Sequence, residues 1–218
     1  YRAVKLAPKS MEARSRLSQL LMQEGRYTEA LTLLVQVDDK RTATGEVPLF
    51  QAERKIIQHK LNEKKSSVPS QSSEIRLAKL GRHFVAPLQL GSADYVLAVV
   101  DTGASKTVFP RNSIETSGAA FVVKKPDRKV RLADGTTVEM DLVTIDTLVF
   151  GDLVLRQVDV FVCKVCTPLL GQNVLSLFDM KSFVVQDIEF LSLTLRREPQ
   201  SAAREVTTVK RQQASADP

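Results

Sequence analysis

The chain has 218 residues, 43% of them hydrophobic, which is enough to bury a sizeable core and excludes wholesale disorder. Its formal charge of +6 lies mainly in the flanks: residues 1–80 carry 15 Lys and Arg against 9 Asp and Glu, residues 81–195 carry 11 against 13, and residues 196–218 carry 5 against 3. A nucleic-acid reader would carry a basic stripe with interleaved aromatics on its folded part, so this distribution argues against a nucleic-acid partner.

Residues 10–38 repeat Leu17, Leu20, Leu21, Ala30, Leu31, Leu34 and Val35 at helical spacing, interrupted at Gly25-Arg26-Tyr27. This predicts an antiparallel helical hairpin, with a third helix over about Leu49–Lys64 and a small all-α domain over 1–65. The positions Leu17, Leu21, Gly25, Tyr27, Ala30 and Leu34 resemble one tetratricopeptide unit. Stacked repeats need about three units for stability, so the helices read equally as a tetratricopeptide-like unit, with a surface for a protein partner, or as a small helical cap or dimerisation element.

The stretch Lys64–Glu74 is rich in Ser and Lys with almost nothing apolar, the composition of a linker, here placed at 66–80. Beyond it the period changes to two. Strands are expected at Phe84–Leu90, Tyr95–Val100, Val130–Ala133, Thr136–Ile145, Leu148–Phe150, Leu153–Val162, Phe183–Val185 and Leu191–Leu195. Asp134-Gly135 and Gly151-Asp152 read as two-residue hairpin turns. The run Lys124, Lys125, Arg128, Lys129, Arg131 reads as a solvated strand or loop. A mostly β domain thus spans 81–197, and the polar tail 198–218 is expected to be disordered.

The longest apolar run is Tyr95–Val100, far short of the ~20 residues of a membrane-crossing helix, and no signal-peptide pattern opens the sequence. That run leads directly into the informative stretch, where an apolar strand delivers Asp101 into a Thr102-Gly103-Ala104 turn. An Asp there serves either as a turn former accepting backbone hydrogen bonds or as a reactive carboxylate. A second motif, Leu169-Leu170-Gly171-Gln172-Asn173, follows 68 residues after Asp101.

Together with the hairpin around Ala133-Asp134-Gly135, these motifs resemble, over about Phe84–Leu195, a single-lobed retroviral-type aspartic protease in its bacterial, retropepsin-like form. The resemblance implies a retropepsin-like fold and an aspartic endopeptidase acting on protein or peptide, without metal or other cofactor. Asp101, Thr102 and Gly103 would be catalytic; Ala104, Ala133, Asp134, Gly135, Leu170 and Gly171 would contact substrate. Asp134 and Gly135 would form a flap, and the Thr102 hydroxyl would reach a partner loop. Two carboxylates sharing one proton are needed, because like charges about 3 Å apart cannot both ionise. The other apolar-flanked candidate, Asp146, is followed by Thr147-Leu148 rather than Thr-Gly and reads as an outward-facing strand residue. One chain therefore supplies one carboxylate, and a homodimer is expected.

Ala104 cannot donate a hydrogen bond to the carboxylate, which predicts a mildly acidic optimum. Ser105 and Gln172, where viral relatives carry Asp and Arg, are expected to form a neutral pair. Cys163-Lys164-Val165-Cys166 reads first as two buried free thiols and second as an oxidised pair. His59 and His83 are isolated and receive no role. A periplasmic or membrane-tethered setting is expected from the resemblance alone. The competing reading is a non-catalytic peptide-binding or dimerisation module on a protease-like fold.

Overall fold

The computed structural model describes residues 1–66, 74–79, 81–91, 95–132, 134–151 and 153–196. In chain order the elements are α1 (Arg2–Leu6), α2 (Met11–Gln23), α3 (Tyr27–Ala43), α4 (Gln51–Ser66), β1 (Glu74–Ala78), β2 (Val85–Leu90), β3 (Tyr95–Val100) and β4 (Val108–Pro110). They continue with α5 (Arg111–Glu115), β5 (Phe121–Arg131), β6 (Thr137–Phe150), β7 (Leu153–Cys163), β8 (Leu169–Leu170), α6 (Gln172–Leu175), β9 (Phe178–Val185) and β10 (Ile188–Leu195). Short helices thus precede a mostly β unit, as expected. Among the described residues no helix is long and apolar enough to cross a membrane.

The α2–α3 hairpin starts on a Ser10 cap, whose hydroxyl accepts from the Ala13 N–H at 3.2 Å. It turns at Gly25, whose φ of +72° lets the Arg26 N–H reach back to the Leu21 carbonyl. Asp38 then fixes the next corner: its buried carboxylate accepts from the Leu49 and Phe50 N–H groups and from Arg54 Nη1. Leu21, Leu31, Leu34, Val35, Ile57 and Leu61 form the core between the helices.

Seven strands lie in the order β2-β3-β8-β4-β7-β6-β5, and β2 also pairs with β6 through Leu88 and Phe150, closing a barrel. A separate sheet, β1-β10-β9, covers one side. Strand β6 spans two roles, its first half pairing with β5 and its end with β2, so the two strands expected at Thr136–Ile145 and Leu148–Phe150 are one. The barrel core holds Leu88, Phe109, Ile145, Phe150, Leu170 and Phe178.

Three expectations need correction. Strand β1 falls inside the stretch taken as linker and pairs with β10, Ile75 opposite Leu193, because Ile75, Leu77 and Ala78 bury despite their polar neighbourhood. Residues 67–73 of that linker and the tail 198–218 lie outside the described residues. The basic run belongs to a full strand, β5, which starts at Phe121 rather than Val130 and is exposed along almost its whole length. At the tip of the β5–β6 hairpin the Leu132 N–H donates to the Thr136 carbonyl and the Gly135 N–H to the Leu132 carbonyl, so the connection is one residue longer than a two-residue turn.

Helices and barrel meet on β3. Its alternation places Val96, Ala98 and Val100 in the barrel core, while Tyr95 and Leu97 pack into the helical core. Tyr95→Ala should therefore lower the stability of the whole chain by about 3 kcal/mol, the scale of large aromatic truncations. Thermal unfolding followed by both helical and strand circular dichroism bands should show one shifted transition. Loss of the helical signal alone, with the β signal unchanged, would contradict a shared core.

Candidate functional site

Asp101 follows the last residue of β3 and is half-buried, with exposed Thr102 and Gly103 beyond it. Its N–H donates to the Leu170 carbonyl at 3.0 Å, extending the parallel pairing of Val99 with Leu169 and Val100 with Leu170. Its carboxylate Oδ1 accepts the Gly103 N–H at 2.9 Å, and its carbonyl accepts the Ala104 N–H at 3.3 Å. The carboxylate is thereby aimed by its own turn, as an Asx turn aims it. Ala104 offers it no side-chain donor.

The turn is held from below by the start of α6. The Gln172 N–H donates to the Ala104 carbonyl at 2.8 Å, and Gln172 Nε2 donates to the Thr102 carbonyl at 3.0 Å. Gln172 therefore does not pair with the Ser105 side chain, because its amide reaches further along the loop, to the backbone beside Asp101. Leu170 and Gly171, expected to contact substrate, are both buried. The Leu170 side chain is fully enclosed in the barrel core and its carbonyl supports Asp101. A Cβ on Gly171 would lie 2.8 Å from the Thr107 nitrogen and closer still to the Lys106 carbonyl, so only glycine lets the two chain segments touch.

Thr107 and Asn173 carry a role the sequence reading missed. Asn173 Oδ1 accepts both the N–H and the hydroxyl of Thr107, at 2.7 and 3.0 Å, while its Nδ2 donates to the Asp159 carbonyl at 2.8 Å. The same Thr107 oxygen accepts the Gly171 N–H at 3.2 Å, and Thr107 is fully buried. The available signal was a lone Thr before the apolar pair Val108-Phe109 and an Asn directly after Leu169-Leu170-Gly171-Gln172.

Elsewhere the residues separate. Asp146 lies in β6 with a half-exposed carboxylate that accepts from Gln157 Nε2 at 3.0 Å and from the Thr147 hydroxyl at 3.0 Å, as an outward-facing strand residue does. Asp134 sits at the hairpin tip, where the Thr136 hydroxyl and then the Thr136 N–H hold its carboxyl below the usual range. Ala133 lies outside the described residues. Cys163 and Cys166 are bonded to each other across Cα atoms 6.1 Å apart, which corrects the reading of two free thiols. The turn after β7 brings together residues that a continuous strand would point apart.

A cleft of about 860 Å³ opens between the β5–β6 hairpin and the Cys163–Cys166 turn, walled by Leu132, Val138, Met140 and Val165. Asp101 is not among its lining residues. Its base holds Asp141, which accepts from Arg111 and, at 2.9 Å, from the Asp127 N–H.

Residues 87–177, less than half of the chain, match the family described as "gag-polyprotein putative aspartyl protease". The β unit resembles the gag-polyprotein aspartyl proteases. The matched span contains the Asp101 turn, the β5–β6 hairpin and the Gly171 crossing, and leaves out α1 to α4, β1, β9 and β10. Two solved structures are similar to the chain. A retropepsin-like aspartic protease from Rickettsia conorii is 20% identical over 57% of this chain and 93% of its own, with a TM-score of 0.41. The EIAV protease complexed with the inhibitor HBY-793 is 16% identical over 45% of this chain and 89% of its own, with a TM-score of 0.38. No curated protein sequence matches the chain.

Two outcomes follow for this protease-like unit. Thr107→Val, which keeps shape and removes the hydroxyl, should cost about 1–3 kcal/mol in chemical denaturation by leaving the Gly171 N–H without its acceptor. An unchanged midpoint would show that the hydroxyl contributes nothing. The second concerns acid. Asp141 is held below its usual range first by the Asp127 N–H and then by Arg111, so the folded state binds the proton less readily than the unfolded one. Its stabilisation is present above the unfolded carboxyl pKa of about 3.9 and is lost as pH falls through the lower folded value. Asp141→Asn should flatten the loss of stability between about pH 5 and pH 2; an acid limb identical to the wild type's would refute this.

Proposed function

We propose that the chain is an aspartic endopeptidase whose active site forms in a homodimer from two copies of Asp101. The observation that carries this reading is the half-buried Asp101 carboxylate, fixed at a strand end by the Gly103 N–H within the span that matches the protease family. The mid-strand placement of Asp146 argues against a second carboxylate from the same chain. Exposed Thr102 and Gly103 leave the turn open for a partner copy.

In the dimer the two carboxylates share one proton. The unprotonated one takes a proton from a water whose oxygen attacks the scissile carbonyl carbon, and the protonated one gives its proton to the carbonyl oxygen. Collapse of the resulting diol breaks the C–N bond, and the departing nitrogen takes up a proton from the dyad. The Thr102 hydroxyl ties the two turns together. The β5–β6 hairpin, with Asp134 and Gly135 at its tip, serves as the flap, and the apolar wall of the neighbouring cleft receives substrate side chains. Since Ala104 gives the dyad no hydroxyl donor, the optimum is mildly acidic.

Asp101→Asn keeps the shape of the side chain and removes its proton chemistry. It should lower cleavage of an unfolded protein mixture, read by peptide mapping at pH 4–7, by about 10³-fold or more while the circular dichroism spectrum is unchanged. Wild-type activity per chain should fall on dilution through the dimer dissociation constant, and excess Asp101→Asn chain should suppress it by forming mixed dimers. Full cleavage by the pure variant would refute the role of Asp101. Constant specific activity from a species that sediments as a monomer would refute the shared site. Binding of peptides by the wild type without cleavage would favour a non-catalytic module.

A further inference from the structure

Outside the Asp101 turn, the N-terminus of α2 and the last turns of α3 enclose a groove of about 450 Å³. Arg14 in its wall is only 5% exposed, yet its hydrogen-bond partners are all neutral. Nε and Nη2 donate to the Pro8 carbonyl at 3.1 and 3.0 Å, and Nη1 donates to Gln36 Oε1 at 3.1 Å. A guanidinium has five N–H donors, so one on each Nη is left over. Among the described residues no carboxylate forms an ion pair with Arg14, and its burial lowers its proton affinity with nothing opposing the shift. A buried charge without a counter-charge is costly, and such a charge set in a concave wall marks a place for an anion.

The surroundings add to that charge. Lys9 and Lys40 line the same groove, are exposed and make no ion pair among the described residues. The one acid of the lining, Glu46, is already held by Arg41 at 2.7 Å. Met11, 41% exposed, and Val37 supply an apolar floor. No aromatic side chain lines the groove, so it lacks the platform on which nucleic-acid bases stack.

We propose that this groove binds an acidic peptide segment in which a carboxylate stands beside an apolar residue. The carboxylate takes the two remaining N–H groups of Arg14 between Lys9 and Lys40, and the apolar neighbour lies on Met11 and Val37. The site is separate from the Asp101 turn and does not depend on proteolysis.

The test uses the full chain carrying Asp101→Asn, so that a bound peptide is not cut, and a fluorescein-labelled peptide of alternating Leu and Glu read by fluorescence anisotropy. Binding should weaken as salt rises, and by about tenfold or more in Lys9→Glu/Lys40→Glu, whose exposed positions leave the fold intact. The same peptide with Gln for Glu should lose affinity to a similar degree. Arg14→Gln should weaken binding further where circular dichroism shows it folded; the double variant decides the matter where it does not. Absence of binding, equal affinity for the Gln peptide, or unchanged affinity in the double variant would overturn the proposal. Stronger binding of a single-stranded oligonucleotide than of the Glu peptide, abolished by the same double variant, would overturn it in favour of nucleic acid.

Discussion

The pairing of Thr107 with Asn173 is the constraint on which the Asp101 turn depends. One buried threonine and one amide join four pieces of chain: the segment between the turn and β4, the residue after β8, the start of α6 and the middle of β7. Each of these pieces has backbone groups that the short parallel pairings leave open, because β4 and β8 are only three and two residues long. Side-chain donors and acceptors close that gap, as buried backbone groups require. Without them the Gly171 crossing, where two backbones touch, would have packing but no direction.

Strand β3 transmits this order outward. Its barrel face fixes the depth at which Asp101 leaves the core, and its other face is covered by the helical core through Tyr95 and Leu97. The helices are therefore part of the support of the strand that delivers the carboxylate, whatever else they bind. This also accounts for an apolar run at Tyr95–Val100 that shows no alternation: a strand buried on both faces has no polar side.

What the sequence disclosed follows from which signals are local. Helical spacing between Leu17 and Val35, the Gly25 break and the turn glycines are local, and they placed the helices and the β5–β6 hairpin. The Asp101 turn and the Leu169-Leu170-Gly171 motif were visible because each is a short contiguous pattern. Strand β1 was hidden because Ile75, Leu77 and Ala78 gain their burial from β10, more than a hundred residues away. The basic face of β5 was ambiguous because an exposed strand carries no apolar alternation to announce it. The Gln172 contact has a related cause: the resemblance pairs Gln172 with Ser105, and only the path of the loop decides that the amide reaches the Thr102 carbonyl instead. The Cys163–Cys166 bond was likewise decided by where β7 ends.

The Gln172 contact also bears on how a shared site would assemble. In this chain the Thr102 carbonyl and the Ala104 carbonyl are both held by Gln172, and Asp101 Oδ1 is held by Gly103. On the proposed axis each copy would bring a turn braced by these bonds. A neutral amide contributes direction here without the charge that an arginine would add beside the carboxylates.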